Sequence, residues 1–144
     1  MFARMTEPAP RFTNGTAPHS EAMVASLGTT LGLDLAPHRF TLPDGLRVGI
    51  DGADADPPTL LVQVTPVIGR VRSTHRNKVI ADAFKLTWLR DSHFPDAAAV
   101  LALSPELTRF LGPESWLTTS LREQRVTVVM VPSDADPPAH APTP

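Results

Sequence analysis

The chain contains no cysteine, which excludes a disulfide framework, a thiolate metal site and a cysteine nucleophile. No apolar run approaches the roughly 18 residues needed to cross a bilayer. The N-terminal MFARMTEPAPRF lacks the apolar core of a secretory signal, so the expected compartment is the cytoplasm. Lysine is nearly absent. Arginine occurs 11 times along the chain, whereas the two lysines, Lys78 and Lys85, lie in one segment, seven residues apart. An ammonium and a guanidinium differ in geometry, hydration and titration, so this confinement marks the segment as one where an ammonium matters. Chance in a short chain is the plain alternative.

The 144 residues suit one domain with a proper core, and 42% apolar content with a net charge of −2 is ordinary for a globular protein. Of the 16 prolines, seven fall in residues 1–18 and 134–144. Residues 1–19 and 134–144 therefore read as disordered tails, too poor in apolar surface to offset chain entropy. Residues 20–133 remain as the domain.

Within it, residues 20–33 open on Ser20 as a helix N-cap, with Ala22, Met23, Leu27 and Leu31 at helical spacing. Alternation through Phe40 and Leu42, then Leu46, Val48 and Ile50, around Pro43-Asp44-Gly45 predicts a hairpin. Leu60, Leu61, Val62 and Val64 read as a buried strand that ends at Pro66. Residues 73–90 contain neither Pro nor Gly and form the best helix. A strand over 97–104, one or two helices broken at Gly112-Pro113, and a strand over 126–133 complete the order. Helix, three strands, helix, strand, helix, strand predicts an α/β fold: a mixed β-sheet with helices on both faces.

The central helix carries the chemistry. At about 100° per residue, His75, Lys78, Asp82 and Lys85 fall within roughly an 80° arc. Outside it stand Val79, Ile80, Ala81, Ala83, Phe84, Leu86, Trp88 and Leu89. A narrow charged stripe on a mostly apolar helix predicts a cleft wall; the ordinary alternative is a surface ladder of Asp82 with the two lysines. Residues 70–90 hold six basic residues (Arg70, Arg72, Arg76, Lys78, Lys85, Arg90) against Asp82 alone, a local charge of +5 on an otherwise acidic protein. That is a candidate phosphate-facing surface. Asp51 ends one strand and Gln63 lies in the middle of the next. Oxygen ligands on neighbouring strands, faced by a lysine-bearing helix, suit a hard cation that keeps water and phosphate oxygens as ligands. The plainer readings are a turn at Asp51-Gly52 and a hydrogen-bonded strand glutamine. No phosphate-cradling glycine loop is present, and the histidines show no ligand spacing. Trp116, with Leu117 and Leu121, is expected in the core, and Trp88 against the sheet.

The stretches LPDGLRVGIDGA, TLLVQVTPVIGRVRSTHRNKVIADAFKL and AAAVLALS resemble the restriction-endonuclease-like nucleases, whose signature is written PD-(D/E)XK. They are similar in particular to small bacterial members with an acid in place of Gln63. The resemblance spans about residues 20–133. It implies an αβββαβ core with a further helix and strand, and Mg²⁺- or Mn²⁺-dependent phosphodiester hydrolysis on DNA or RNA. By it Asp51 matches the metal-binding aspartate, Gln63 takes the place of the second carboxylate, and Glu21 matches the acid on the first helix. The family's lysine falls at Thr65, so Lys78 becomes the relocated catalytic lysine, with Arg70, Arg72, His75, Arg76, Asp82 and Lys85 lining the cleft toward phosphate. A carboxylate replaced by Gln63 keeps a carbonyl ligand but removes a full charge that metal binding and water activation use. Asp54 and Asp56 in the next loop, with Glu21 facing the cleft, are the acids available to compensate. The resemblance therefore implies a nuclease-like domain that acts on or binds nucleic acid with hydrolysis weakened or lost. A homodimer is implied as well, since one such site cuts one strand. The competing reading is a non-catalytic protein-interaction domain of the same fold.

Overall fold

The computed structural model describes residues 17–132. Helix α1 (Ala17–Leu31) is followed by strands β1 (Ala36–Thr41), β2 (Arg47–Ala53) and β3 (Leu60–Thr65). Then come helix α2 (Ser73–His93), strand β4 (Ala98–Leu103), a 3₁₀ helix (Pro105–Phe110), helix α3 (Trp116–Glu123) and strand β5 (Val126–Met130). The five strands form one sheet in sequence order. β1–β2 and β2–β3 are antiparallel, and β3–β4 and β4–β5 are parallel. The predicted element order and α/β class hold.

The two parallel steps explain the near-continuous apolar strands, because a strand covered on both faces has no polar side. β3 is buried along its whole length. One core, with Leu61, Leu86, Leu89, Leu101 and Leu103, lies on the α2 side; a second, with Met23, Val24, Leu27, Val62 and Val64, lies under α1. The hairpin turns at Gly45, whose φ of 90° is glycine's to adopt. Gly28, which reads as a weakness in α1, is required there: a β-carbon at 28 would lie 2.7 Å from the Leu33 carbonyl oxygen where the chain folds back on the helix.

Several expectations are corrected. α1 starts at Ala17, not Ser20, so residues 17–19 belong to the helix. Pro18 stands in its first turn, where proline's missing N–H costs nothing. The last strand ends at Met130. The remainder of both expected tails lies outside the described residues. The apolar residues outside the charged stripe of α2 are not all buried: the helix buries Val79, Asp82, Leu86, Leu89 and Arg90, while Ala81 and Phe84 are exposed. Trp116 is 60% exposed instead of in the core, and Trp88 is partly buried against the core. Arg90 leaves the basic surface altogether. It is 2% exposed, and its guanidinium donates to the Gln124 and Arg125 carbonyls at 2.7 and 2.8 Å.

Candidate functional site

The site is built on an irregularity in β2. Between the pairs Ala36↔Ala53 and His38↔Ile50, β1 advances two residues and β2 three, so β2 carries a one-residue bulge at Asp51-Gly52. This phase shift lets Val48, Ile50 and Ala53 all join the core on the α2 side. Gly52 lies under α1, where a β-carbon would come within 3.1 Å of Val24.

Only Gly52↔Val62 and Ala53↔Leu61 pair β2 with β3. Beyond them the strands are joined through side chains. The Asp51 amide donates to Gln63 Oε1 at 2.8 Å, and the Val64 amide donates to Asp51 Oδ2 at 2.9 Å. Gln63 and Thr65, two apart on β3, share one face, and α2 brings Asp82 and Lys78 to it. Gln63 Nε2 donates to Asp82 Oδ1 at 3.0 Å, and Thr65 Oγ1 donates to Asp82 Oδ2 at 3.3 Å. The Lys78 ammonium lies 2.6 Å from Asp82 Oδ2, 2.9 Å from the Val64 carbonyl oxygen and 3.4 Å from Thr65 Oγ1. Its three N–H donors thus meet three oxygens. Asp82 is 7% exposed. The Lys78–Asp82 pair has the i,i+4 spacing of a surface ladder, yet its carboxylate is buried and shared with β3.

Sequence reasoning brought Asp51, Gln63, Lys78 and Asp82 to one place, and the geometry does so too. It missed Thr65 as a participant, although Thr65 sits two residues from Gln63 on the same strand face. Lys85 is half-buried and close enough for its charge to act on Asp51. Glu21 is exposed on α1 and, with Asp51, lines a cavity of about 320 Å³ walled by Val24, Leu35, Ala36 and Pro37. The other residues have separate duties. His75 Nδ1 accepts the Arg72 amide at 2.9 Å and closes the N-terminus of α2. Arg76 places its guanidinium 5.4 Å above the Trp116 ring. Arg70 and Arg72 are exposed beside that helix start.

The loop acids are also committed. Asp54 accepts from the Thr59 hydroxyl and from the Thr59 and Leu60 amides. Partial desolvation works to raise its carboxyl, but these bonds outweigh it and hold it below the ordinary range. Asp56 pairs with His38 at 3.4 Å. Neither contacts Asp51 or Gln63 through any of these bonds.

Burial pushes the Asp51 carboxyl above its usual value, against the opposing pull of the Val64 amide and of Lys78 and Lys85. A raised carboxyl in the folded state subtracts stability once pH climbs past the unfolded value, where the folded chain must hold the charge at extra cost. Asp51→Asn keeps an oxygen for the Val64 amide. It is expected to unfold at a higher temperature than wild type at about pH 7, with the difference vanishing near pH 3. Paired thermal unfolding at the two pH values checks this. Equal melting at neutral pH would show that Asp51 carries no desolvation cost.

The residues fit a divalent cation poorly. Among the described residues no group of three or more His, Asp or Glu side chains is placed to hold one. Asp51 Oδ2 already takes the Val64 amide, Gln63 Oε1 takes the Asp51 amide, and the lysine ammonium lies against Asp82. The wild-type donor set therefore falls short of the carboxylate-rich shell that Mg²⁺ prefers. Comparison with protein-family models, curated proteins and solved structures finds no match to this chain. No described helix is long and apolar enough to cross a membrane.

Proposed function

We propose that this chain is a restriction-endonuclease-like domain that binds nucleic acid and whose metal-dependent phosphodiester hydrolysis has been weakened or lost. One observation carries the reading: the Gln63 amide stands between the Asp51 backbone and the Asp82 carboxylate, bonded to both, with the Lys78 ammonium against Asp82. The strands part where such a fold would hold its metal. The helix lysine delivers its ammonium beside Thr65, the strand position where the resemblance expects a lysine. The αβββαβ order with antiparallel and then parallel pairing supports the same reading.

In this reading a neutral amide has replaced a carboxylate, and the lysine supplies the positive charge that the remaining acid needs. When bound, Mg²⁺ or Mn²⁺ would activate water and neutralise developing charge on phosphate. The wild-type residues do not fit that role. The exposed Arg70 and Arg72, with Lys85, remain for phosphate contact, and binding through them weakens as salt rises.

The test is cleavage of plasmid DNA, single-stranded DNA and RNA in Mg²⁺ or Mn²⁺, with chelator controls, alongside binding at two salt concentrations. Wild type is expected to bind in a salt-dependent manner and to cut little or not at all. Gln63→Glu is expected to gain cleavage, and adding Lys78→Ala to it should lower the rate by about 100-fold or more. Absence of nucleic-acid binding by every variant would overturn the proposal.

A further inference from the structure

The cavity of about 320 Å³ between α1 and the β1–β2 pair differs in kind from the bonded network around Asp82. It opens where β1 and β2 lose register, between the pairs Ala36↔Ala53 and His38↔Ile50. Its wall is mostly apolar and includes Val24, Leu35 and Pro37, while its polar side chains are Ser20 and Glu21 from α1 and Asp51 from β2. None of the lining residues is basic. Asp51 Oδ2 accepts the Val64 amide, but among the described residues no donor meets Oδ1. The side chains of Ser20 and Glu21 have no hydrogen-bond or ion-pair partner there either. Lys78 and Lys85 reach Asp51 through charge alone. A carboxylate oxygen partly withdrawn from water without a donor carries a cost, and such groups ordinarily have a partner.

We propose that this cavity binds a small primary amine in its ammonium form, with the nitrogen among Asp51, Glu21 and Ser20 and the hydrocarbon body against Val24, Leu35 and Pro37. The charge is complementary, since two carboxylates and no cation line the space. Three side chains with free acceptor oxygens answer the three N–H donors of an ammonium. A divalent ion is served less well, because an apolar wall neither ligates it nor holds its remaining water shell. A guanidinium is served less well too. Its planar fork calls for two free oxygens on one carboxylate, and Asp51, the deeper acid, has one. The volume lies at the lower end of the roughly 300–1,000 Å³ of small-molecule pockets, which suits a short chain. The cleft to which the resemblance assigns a metal is thus shaped for an organic cation. The inference rests on the poor fit of these acids to a divalent ion. It does not rest on nucleic-acid binding, which is proposed to use Arg70, Arg72 and Lys85.

The probe is n-hexylamine, protonated at about pH 7 as alkylamines are. Titrated into the full chain at millimolar concentration, it is expected to move the backbone amide NMR signals of residues 20–25, 35, 36 and 51 as one saturable set. The alcohol 1-hexanol, with the same body and no charge, should bind at least about 10-fold more weakly. Asp51→Asn keeps an oxygen for the Val64 amide and Glu21→Gln changes an exposed side chain, so both variants are expected to fold. Together they should weaken hexylamine by about 30-fold or more and leave 1-hexanol unchanged. Absence of a saturable shift at these residues would overturn the proposal. So would equal affinity for hexylamine and 1-hexanol, which would make the cavity a plain apolar pocket. Displacement of hexylamine by Mg²⁺ or Mn²⁺ at lower concentration than the amine would return the acids to a metal and overturn it as well. Nucleic-acid binding measured on the same samples separates the two readings: its absence beside intact amine binding strikes the nuclease-like reading alone, and the reverse strikes this one alone.

Discussion

Arg90→Ala is expected to lower the free energy of unfolding by about 3–5 kcal/mol, as suits the loss of a buried guanidinium that donates three hydrogen bonds. The guanidinium crosses from α2 to the end of α3, where it donates to the Gln124 and Arg125 carbonyls. Arg125 sits at a φ of 58°, a left-handed conformation at the close of α3, and its carbonyl is held from within the protein. Truncation leaves two carbonyl oxygens without their donors, each costing about 1–3 kcal/mol, and empties the space of a side chain only 2% exposed. The third bond, to Asp91, adds little, because that carboxylate faces water, although the hydrogen bond from Arg90 holds its carboxyl below the ordinary range. For a domain of this size the loss corresponds to about 10–20 °C in melting temperature. Arg90→Lys should fall in between, since one ammonium cannot reproduce the planar fork. Thermal unfolding decides the matter: a shift of only a few degrees for the alanine variant would mean that water replaces the guanidinium at both carbonyls.

Gln63→Glu carries the second large effect, of a different kind. In wild type the Nε2 group donates to Asp82 at 3.0 Å. A carboxylate in its place sets oxygen against oxygen, with Asp51 nearby and one lysine to balance the charges. Without cation the variant is expected to lose about 2–4 kcal/mol at neutral pH, from a broken buried hydrogen bond and like-charge repulsion. Burial and the repulsion of a neighbouring carboxylate disfavour the charged form of the introduced glutamate. The deficit should therefore shrink as pH falls and one proton is taken up. Millimolar Mn²⁺ or Mg²⁺ should recover the melting temperature of the variant while leaving wild type unmoved, because only the variant offers a new anionic site for the ion to stabilise. Wild-type-like melting with and without metal would show that the amide bridge is not what holds the strands and helix together at this point. This readout is independent of cleavage, so it remains informative if no nucleic-acid substrate is cut.

Much of this architecture is readable from local pattern. The strand–helix order follows from alternation and from the Pro- and Gly-free run of α2. Gln63 and Thr65 on one strand face, and Lys78 and Asp82 one helical turn apart, follow from the two backbone periodicities. What escapes depends on partners distant in sequence. Arg90 reads as one more surface charge until residues 34 and 35 positions later offer their carbonyls. Trp116 has the spacing of a core residue, but it opens a short helix whose buried face is carried by Leu117 and Leu121. Pro18 reads as tail composition, although the first turn of a helix accommodates proline. The bulge in β2 leaves no mark beyond a glycine, because Val48, Ile50 and Ala53 do not follow one alternation and a register can be read only against a partner strand.

That bulge has a consequence for how a charge comes to lie in mid-strand. A regular strand must choose, at each position, between the two sides of its sheet, and a carboxylate on the packed side displaces an apolar neighbour. β2 avoids the choice by behaving as two short strands of opposite phase joined at Asp51-Gly52. Both halves present their apolar residues to the α2 layer, and the joint, which belongs to neither phase, is free to carry an acid. The chain can therefore alter the chemistry at that joint while the hydrophobic packing on either side stays as it is.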